Sequence, residues 1–248
     1  MSPIFETGHA KNVANFEIEI SYCNGYGVAY NPTKASITIA SLNTLLTGAQ
    51  GSLASLNSIL PPWINAVNAR QLAFDPLSKL VTRVIAALDA SDVDELIVND
   101  AKTIARKIQG RRAEPAQPDN PETPEDESLE SISASQMSFD SRIENFDSLI
   151  QLLAAEASYI PNETDLTVAA LTALLADFRQ KNTDVINAFT PVSNARIARD
   201  NILYAEDSGL FDIAAEVKNY VKSVYGAAAA EFKQISSLKF TKPKKVFI

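Results

Sequence analysis

A ten-residue segment occurs twice in this chain. Ile37-Thr-Ile-Ala-Ser-Leu-Asn-Thr-Leu-Leu46 returns as Leu166-Thr-Val-Ala-Ala-Leu-Thr-Ala-Leu-Leu175, with five of ten positions identical and conservative exchanges at Ile37/Leu166 and Ile39/Val168. Ordinary composition gives roughly one match in ten. The echo constrains the fold to one that uses the same unit twice, and the flanks agree. Val13, Phe16, Ile20 and Cys23 are answered by Ile143, Phe146, Ile150 and Leu153, Tyr30-Asn-Pro by Tyr159-Ile-Pro, and Asn68-Ala-Arg70 by Asn194-Ala-Arg196.

The spacing inside each unit is helical. Val13, Phe16, Ile20 and Cys23 fall at three- and four-residue intervals, and Gly25 and Gly27 end that helix. Asn31-Pro32 reads as an N-cap with proline in the first turn, and Asn162 as its counterpart. Leu42, Leu46, Ala49, Leu53, Leu56, Leu60, Trp63 and Val67 alternate four-three, a heptad seam that suits coiled-coil-like packing. Pro61-Pro62 is expected to kink or break that long helix, and a three-residue indel between the halves falls in the interval that holds Pro61-Pro62 in one and Pro191 in the other. A shorter helix follows Asp75-Pro76 with Leu77, Leu80, Val81, Val84 and Leu88 inward. Ser91-Asp-Val-Asp94 resembles a capping box for a fourth helix that carries Leu96, Ile97, Ile104 and Ile108 and stops near Gly110. In the second half, Gly209–Val224 and Ala227–Ser237 make the matching third and fourth helices. The expected fold is all-α: an elongated helical bundle with coiled-coil-like packing, built from two tandem four-helix repeats. The expected domains are a flexible arm 1–10, repeat one at 11–112, a linker 113–138, repeat two at 139–240 and a basic tail 241–248.

Ala113–Ser138 holds four prolines, seven acidic residues and no basic one, so it reads as a flexible linker with nothing to bury. Its seven carboxylates account for nearly all of the net charge of −8. An acidic chain with pI ≈ 4.8 is not expected to bind nucleic acid, despite five lysines between Phe232 and Ile248. One cysteine excludes an intrachain disulfide framework and a zinc cluster. The opening residues lack a basic region followed by an apolar run, and no uncharged run is apolar enough to span a membrane. A cytoplasmic location is therefore expected.

Catalytic constellations are missing. His9, placed in the arm, is the only histidine, which rules out a Ser-His-Asp triad and the Glu-x-x-His pairs of di-iron bundles. Asp89, Asp92, Asp94 and Glu95 lack the glycine and closing glutamate of a calcium loop and read as the solvated start of a helix. Cys23 falls on the apolar phase and reads as a small buried hydrophobe. The expectation is a non-enzyme with no catalytic, cofactor or metal residue and no small-molecule substrate.

One stretch departs from the pattern of a solvated helix. Between Lys34 and Arg70 there is no charged residue, whereas the matching helix carries Asp177, Arg179, Lys181 and Asp184. An exposed helical face ordinarily carries charges. A long helix over 35–69 with Ser, Thr, Asn and Gln off its seam implies contact on more than one side, and Gly48 and Gly51 allow close backbone approach. Thr44, Gly48, Gly51, Ser55 and Ser58 are the candidate self-association surface. Arg70 and Arg196 fall on the inward phase and are candidate buried, register-setting residues, with Glu17, Glu144, Asp75 and Asp200 as candidate partners.

Val217-Lys-Asn-Tyr-Val-Lys-Ser-Val-Tyr-Gly-Ala and Glu231-Phe-Lys-Gln-Ile-Ser-Ser-Leu-Lys-Phe240 resemble the ending of a family of uncharacterised bacterial duplicated-helical proteins with no assigned activity. Asp100-Ala-Lys-Thr-Ile-Ala-Arg-Lys-Ile-Gln-Gly110 and Asn194-Ala-Arg-Ile-Ala-Arg199 resemble it too. The resemblance implies a recurring helical architecture and carries no catalytic residues. The function expected from the residues is a structural, self-assembling protein that forms a homo-oligomer or filament through the uncharged helix. The alternatives are a soluble pore-forming or membrane-active toxin component, less favoured because polar side chains resist insertion, and an adaptor bundle that binds a protein partner.

Overall fold

The computed structural model describes residues 7–111 and 137–243. Residues 1–6 of the expected arm, 113–136 of the expected linker and the end of the basic tail lie outside them. Among the described residues every regular element is helical: α1 (Thr7–Gly25), α2 (Ile39–Phe74), α3 (Leu77–Asp89), α4 (Glu95–Gln109), α5 (Phe139–Ala155), α6 (Val168–Tyr204), α7 (Leu210–Tyr225) and α8 (Ala230–Ser236). Single 3-10 turns precede the two long helices, at Ala35–Ile37 and Thr164–Leu166.

Several starts differ from expectation for local reasons. α1 begins at Thr7 rather than Lys11, and places His9 inside the helix and buried, not in an arm. Asn31 and Asn162 cap nothing, because a 3-10 turn intervenes before each long helix. Each turn is pinned by a tyrosine: Tyr30 Oη donates to the carbonyl of Ile37 at 2.7 Å, and Tyr159 Oη to that of Leu166 at 2.9 Å. The caps are Thr38 and Thr167, both extended, whose Oγ1 atoms accept from the backbone N–H of Ser41 and Ala170. Asp94 caps α4 by accepting from Leu96 N–H at 2.8 Å, and Gly110 closes it at φ 68°. The buried set of α4 is Val98, Ala101, Ala105 and Ile108, with Ile104 packed against the same core, while Leu96 in the first turn is 74% exposed.

The prolines do not break the long helices. α2 runs through Pro61 and Pro62, and α6 through Pro191. Each missing N–H leaves a carbonyl four residues back without its helical donor. Those carbonyls belong to Asn57, Ser58 and Asn187, which are exposed like the prolines themselves, so water can satisfy them.

The chain forms two compact units. One takes the described residues up to Trp63 and those from Phe189 onward; the other is built from Ile64–Ala188. The boundary falls inside α2 and α6 rather than between the sequence halves, so each long helix contributes to both units. The core of the first unit joins Phe16, Ile20 and Cys23 of α1 and Leu42 and Ala49 of α2 to Leu203, Leu210, Val217 and Ile235. That of the second unit centres on Phe74, Phe146 and Phe178, with Phe74 stacked on Phe178 at 4.2 Å between ring centroids. Leu77, Val81, Val84 and Leu88 of α3 line it from one side, as their spacing requires.

Candidate functional site

Within the first unit, the N-terminal part of α2 buries Leu42, Ala49 and Leu56 and turns the opposite face outward. Thr44, Gly48, Gly51, Ser55 and Ser58 are all exposed there. The polar groups along this stretch are largely consumed by the helix itself. Asn43 donates to Ile39, Thr44 to Ala40, Thr47 to Asn43, Ser52 to Ala49 and Ser58 to Ser55, each to a backbone carbonyl three or four residues back. Covering such a face strips few unmet donors of water, so it behaves as more apolar than its composition. Both glycines stand in open space: a Cβ built on Gly48 or Gly51 meets nothing within 4 Å. Thr44 also edges a hollow of about 460 Å³ lined by Ser36, Ser41, Asp207, Ser208 and Ile213.

The two arginines singled out by phase have different surroundings. Arg70, half-buried, donates through Nη1 to Asn182 Oδ1 at 2.6 Å and lies 3.9 Å from the centroid of the Phe139 ring. Asn182, buried on α6, donates in turn to Asp140 Oδ1 at 2.7 Å. The acid of this network is thus Asp140, reached through an amide, and not one of the four acids expected from sequence. Burial lowers the Arg70 pKa from its ordinary value against the pull of Asp140. Arg196 is half-buried. The arginine buried most deeply on α6 is Arg199, 4% exposed, which bonds Asp200 through Nε and Nη2 at 2.9 and 2.8 Å.

A second polar group was hidden by the apolar phase of α1. Along its buried side stand His9, Asn12, Glu19 and Cys23. His9 Nδ1 lies 2.8 Å from Tyr204 Oη, and Asn12 Nδ2 donates to the same hydroxyl at 3.1 Å. Glu19 is completely buried, and neither carboxyl oxygen has a hydrogen-bond partner. Burial pushes its pKa up to about 8, opposed by the nearby positive charge of Lys218 on α7. Burial likewise pushes the Cys23 thiol up to about 12, with Glu19 adding to the rise, so Cys23 carries no thiolate near neutral pH and is not poised as a nucleophile. The seven-residue interval from Asn12 to Glu19 is the one sequence signal that both share a helical face.

Among the described residues no three His, Cys, Asp or Glu side chains converge as metal ligands. A hollow of about 420 Å³ between α3 and α4 carries Lys102, Arg106 and Arg111; Arg106 lies in the last turn of α4, where the helix dipole favours a cation. Among the described residues no helix is long and apolar enough to cross a membrane. No protein-family model matches the chain, and comparison with curated proteins and with solved structures finds no relative.

Proposed function

We propose that this chain is a non-catalytic structural protein that self-associates into a homo-oligomer or filament through the outward face of α2. The observation that carries it is the pair Gly48 and Gly51. Each glycine in a helix interior costs roughly 1 kcal/mol relative to alanine. Nothing in the fold requires either, since a methyl group at both would sit in open space. A second copy approaching closely supplies a reason: glycine lets two helix backbones come near each other. The back-bonded hydroxyls and the absence of charge over 35–69 support the same reading, because such a surface is desolvated at little cost. On α6 the exposed Asp177 and Arg179 keep the corresponding stretch solvated.

The architecture proposed alongside is a duplication in which α1–α4 correspond to α5–α8. Three matched features support it. The tyrosine–carbonyl pin and the threonine cap recur before each long helix. In each unit an ion pair ties the pinned segment to the third helix, Lys34–Glu216 and Arg83–Asp165, both at 2.5 Å, with opposite polarity. The buried sets Leu77, Val81, Val84, Leu88 and Leu210, Ala214, Val217, Val221 superpose at a constant offset.

Sedimentation velocity and light scattering on the full chain at high micromolar concentration test the assembly. The expected result is a defined oligomer or filament that Gly51→Glu reduces to monomer while helical content by circular dichroism is unchanged. A wild-type monomer, or an oligomer indifferent to Gly51→Glu and to Ser55→Lys, overturns it.

A further inference from the structure

The C-terminal strap Leu238–Thr241 follows α8 outside any helix, and side chains of α1 and α7 hold its backbone. Lys218 Nζ donates to the Leu238 carbonyl at 2.6 Å and lies 4.7 Å from the centroid of the Phe240 ring. Asn15 Nδ2 donates to the Lys239 carbonyl at 2.7 Å. Asn12 clasps Thr241 twice, its Nδ2 donating to the carbonyl at 2.8 Å and its Oδ1 accepting from the N–H at 3.0 Å. Leu238 and Phe240 are half-buried, whereas Lys239 and Thr241 are exposed. A segment with so little apolar burial belongs to the readily opened part of a structure.

Close to Lys218 lies Glu19, fully buried with both oxygens unpartnered. In the duplicated register proposed above, Glu19 corresponds to buried Leu149 and Lys218 to Ile85, which packs against the core of the other unit. An apolar pair therefore serves at this place, and a separated acid and amine in its stead is costly. Among the described residues, Lys218 is the cation whose charge bears on Glu19. On the same helix Cys23 is pushed up to about 12, and Tyr30 is raised further by burial, so both stay neutral while Glu19 titrates. α2 brings no charge over 35–69, and His9 and Tyr204 lie about three turns back along α1. Lys239 of the strap repels Lys218.

We propose that the strap is a latch, released when Lys218 swings from the Leu238 carbonyl to an ionised Glu19 carboxylate. In the closed form Glu19 holds its proton and Lys218 spends its ammonium on the strap, through one charge-assisted hydrogen bond and one ring contact. When Glu19 loses its proton to solvent, a buried carboxylate without hydrogen bonds requires a counter-ion, and Lys218 is the group within reach. Its departure removes both of its contacts from the strap at once and leaves the bonds from Asn12 and Asn15 and the partial packing of Leu238 and Phe240 to hold it. The latch thus opens as pH rises through the Glu19 titration, and Asn12 and Asn15 become free to bond another extended backbone.

The test follows Thr241, whose N–H is bonded in the closed latch, by amide hydrogen exchange corrected for intrinsic rate, while the Glu19 carboxyl carbon is titrated by NMR in the same full-length sample. Between about pH 6 and pH 9 the wild-type protection is expected to fall by about tenfold or more, the worth of one charge-assisted bond, in step with Glu19. Glu19→Gln and Glu19→Leu keep their protection across the range, and Lys218→Met is poorly protected throughout. Equal loss in either Glu19 variant, Glu19 titration with no change at Thr241, or a Glu19 already ionised at the acid end overturns the latch.

Discussion

Glu19→Leu should make the protein more stable, by a margin that grows with pH. The unfolded carboxyl titrates near its ordinary value of 4.5, whereas the buried one holds its proton to about 8. Over that window the folded chain binds the extra proton, so the stability that neutral Glu19 provides is complete below 4.5 and is lost as pH rises toward 8. At 1.36 kcal/mol per unit, the shift corresponds to at most about 5 kcal/mol lost by the alkaline end. Leucine, which the proposed register places at the equivalent position as Leu149, has no such dependence, and it also removes two oxygens that lack partners. At the acid end the gain should therefore be about 1–3 kcal/mol, the burial penalty of an unsatisfied neutral group. Lys218, held below its ordinary value by burial, is drawn upward by the Glu19 charge and offsets part of the alkaline loss in the wild type, so the alkaline figure is a ceiling. Urea unfolding from about pH 5 to 8 reads both numbers directly. Parallel stability–pH lines for wild type and Glu19→Leu, or a variant less stable at the alkaline end, would refute the reasoning, because either means that Glu19 ionises in the folded protein as freely as in water.

Gly48→Ala and Gly51→Ala should each stabilise the fold by about 1 kcal/mol in urea unfolding of dilute protein, since the added methyl meets open space, and both should weaken self-association in sedimentation. Asn182→Ala leaves Arg70 and Asp140 without the amide that joins them and should cost about 1.5–3 kcal/mol, read as a lowered midpoint of thermal unfolding. Phe178→Ala removes the ring that stacks on Phe74 and packs against Phe146, at an expected cost of about 3–5 kcal/mol. Tyr30→Phe and Tyr159→Phe each leave a buried carbonyl without its donor and should cost about 1–3 kcal/mol apiece.

Periodicity alone carried the reading of the helices because one apolar face per helix is what the fold demands. Leu77, Val81, Val84 and Leu88, and likewise Leu171, Leu175 and Phe178, are buried where their spacing places them. Caps were less legible. Asn31-Pro32 has the residue types of a cap, but Tyr30 reaches seven residues on to the Ile37 carbonyl, and that tertiary bond moves the start of the helix to Thr38. Pro61 and Pro62 leave α2 unbroken because the cost of a missing donor depends on whether its acceptor can reach water, and exposure cannot be read from the proline itself. Glu19 shows the deeper limit. By type it belongs to solvent, and only the accumulated packing of α1 against α7, together with a strap more than two hundred residues away in sequence, makes it a buried acid. The stripe on α2 was visible from sequence for the converse reason. An absence of charge over 35–69 is a property of the segment, needing no partner to reveal it, and the structure adds what composition lacked: Thr44, Thr47, Ser52 and Ser58 bond back to the helix and the glycines stand free. An exposed, uncharged face with two unforced glycines is the surface that the proposed self-association would cover. What the full chain weighs in solution decides whether a second copy covers it.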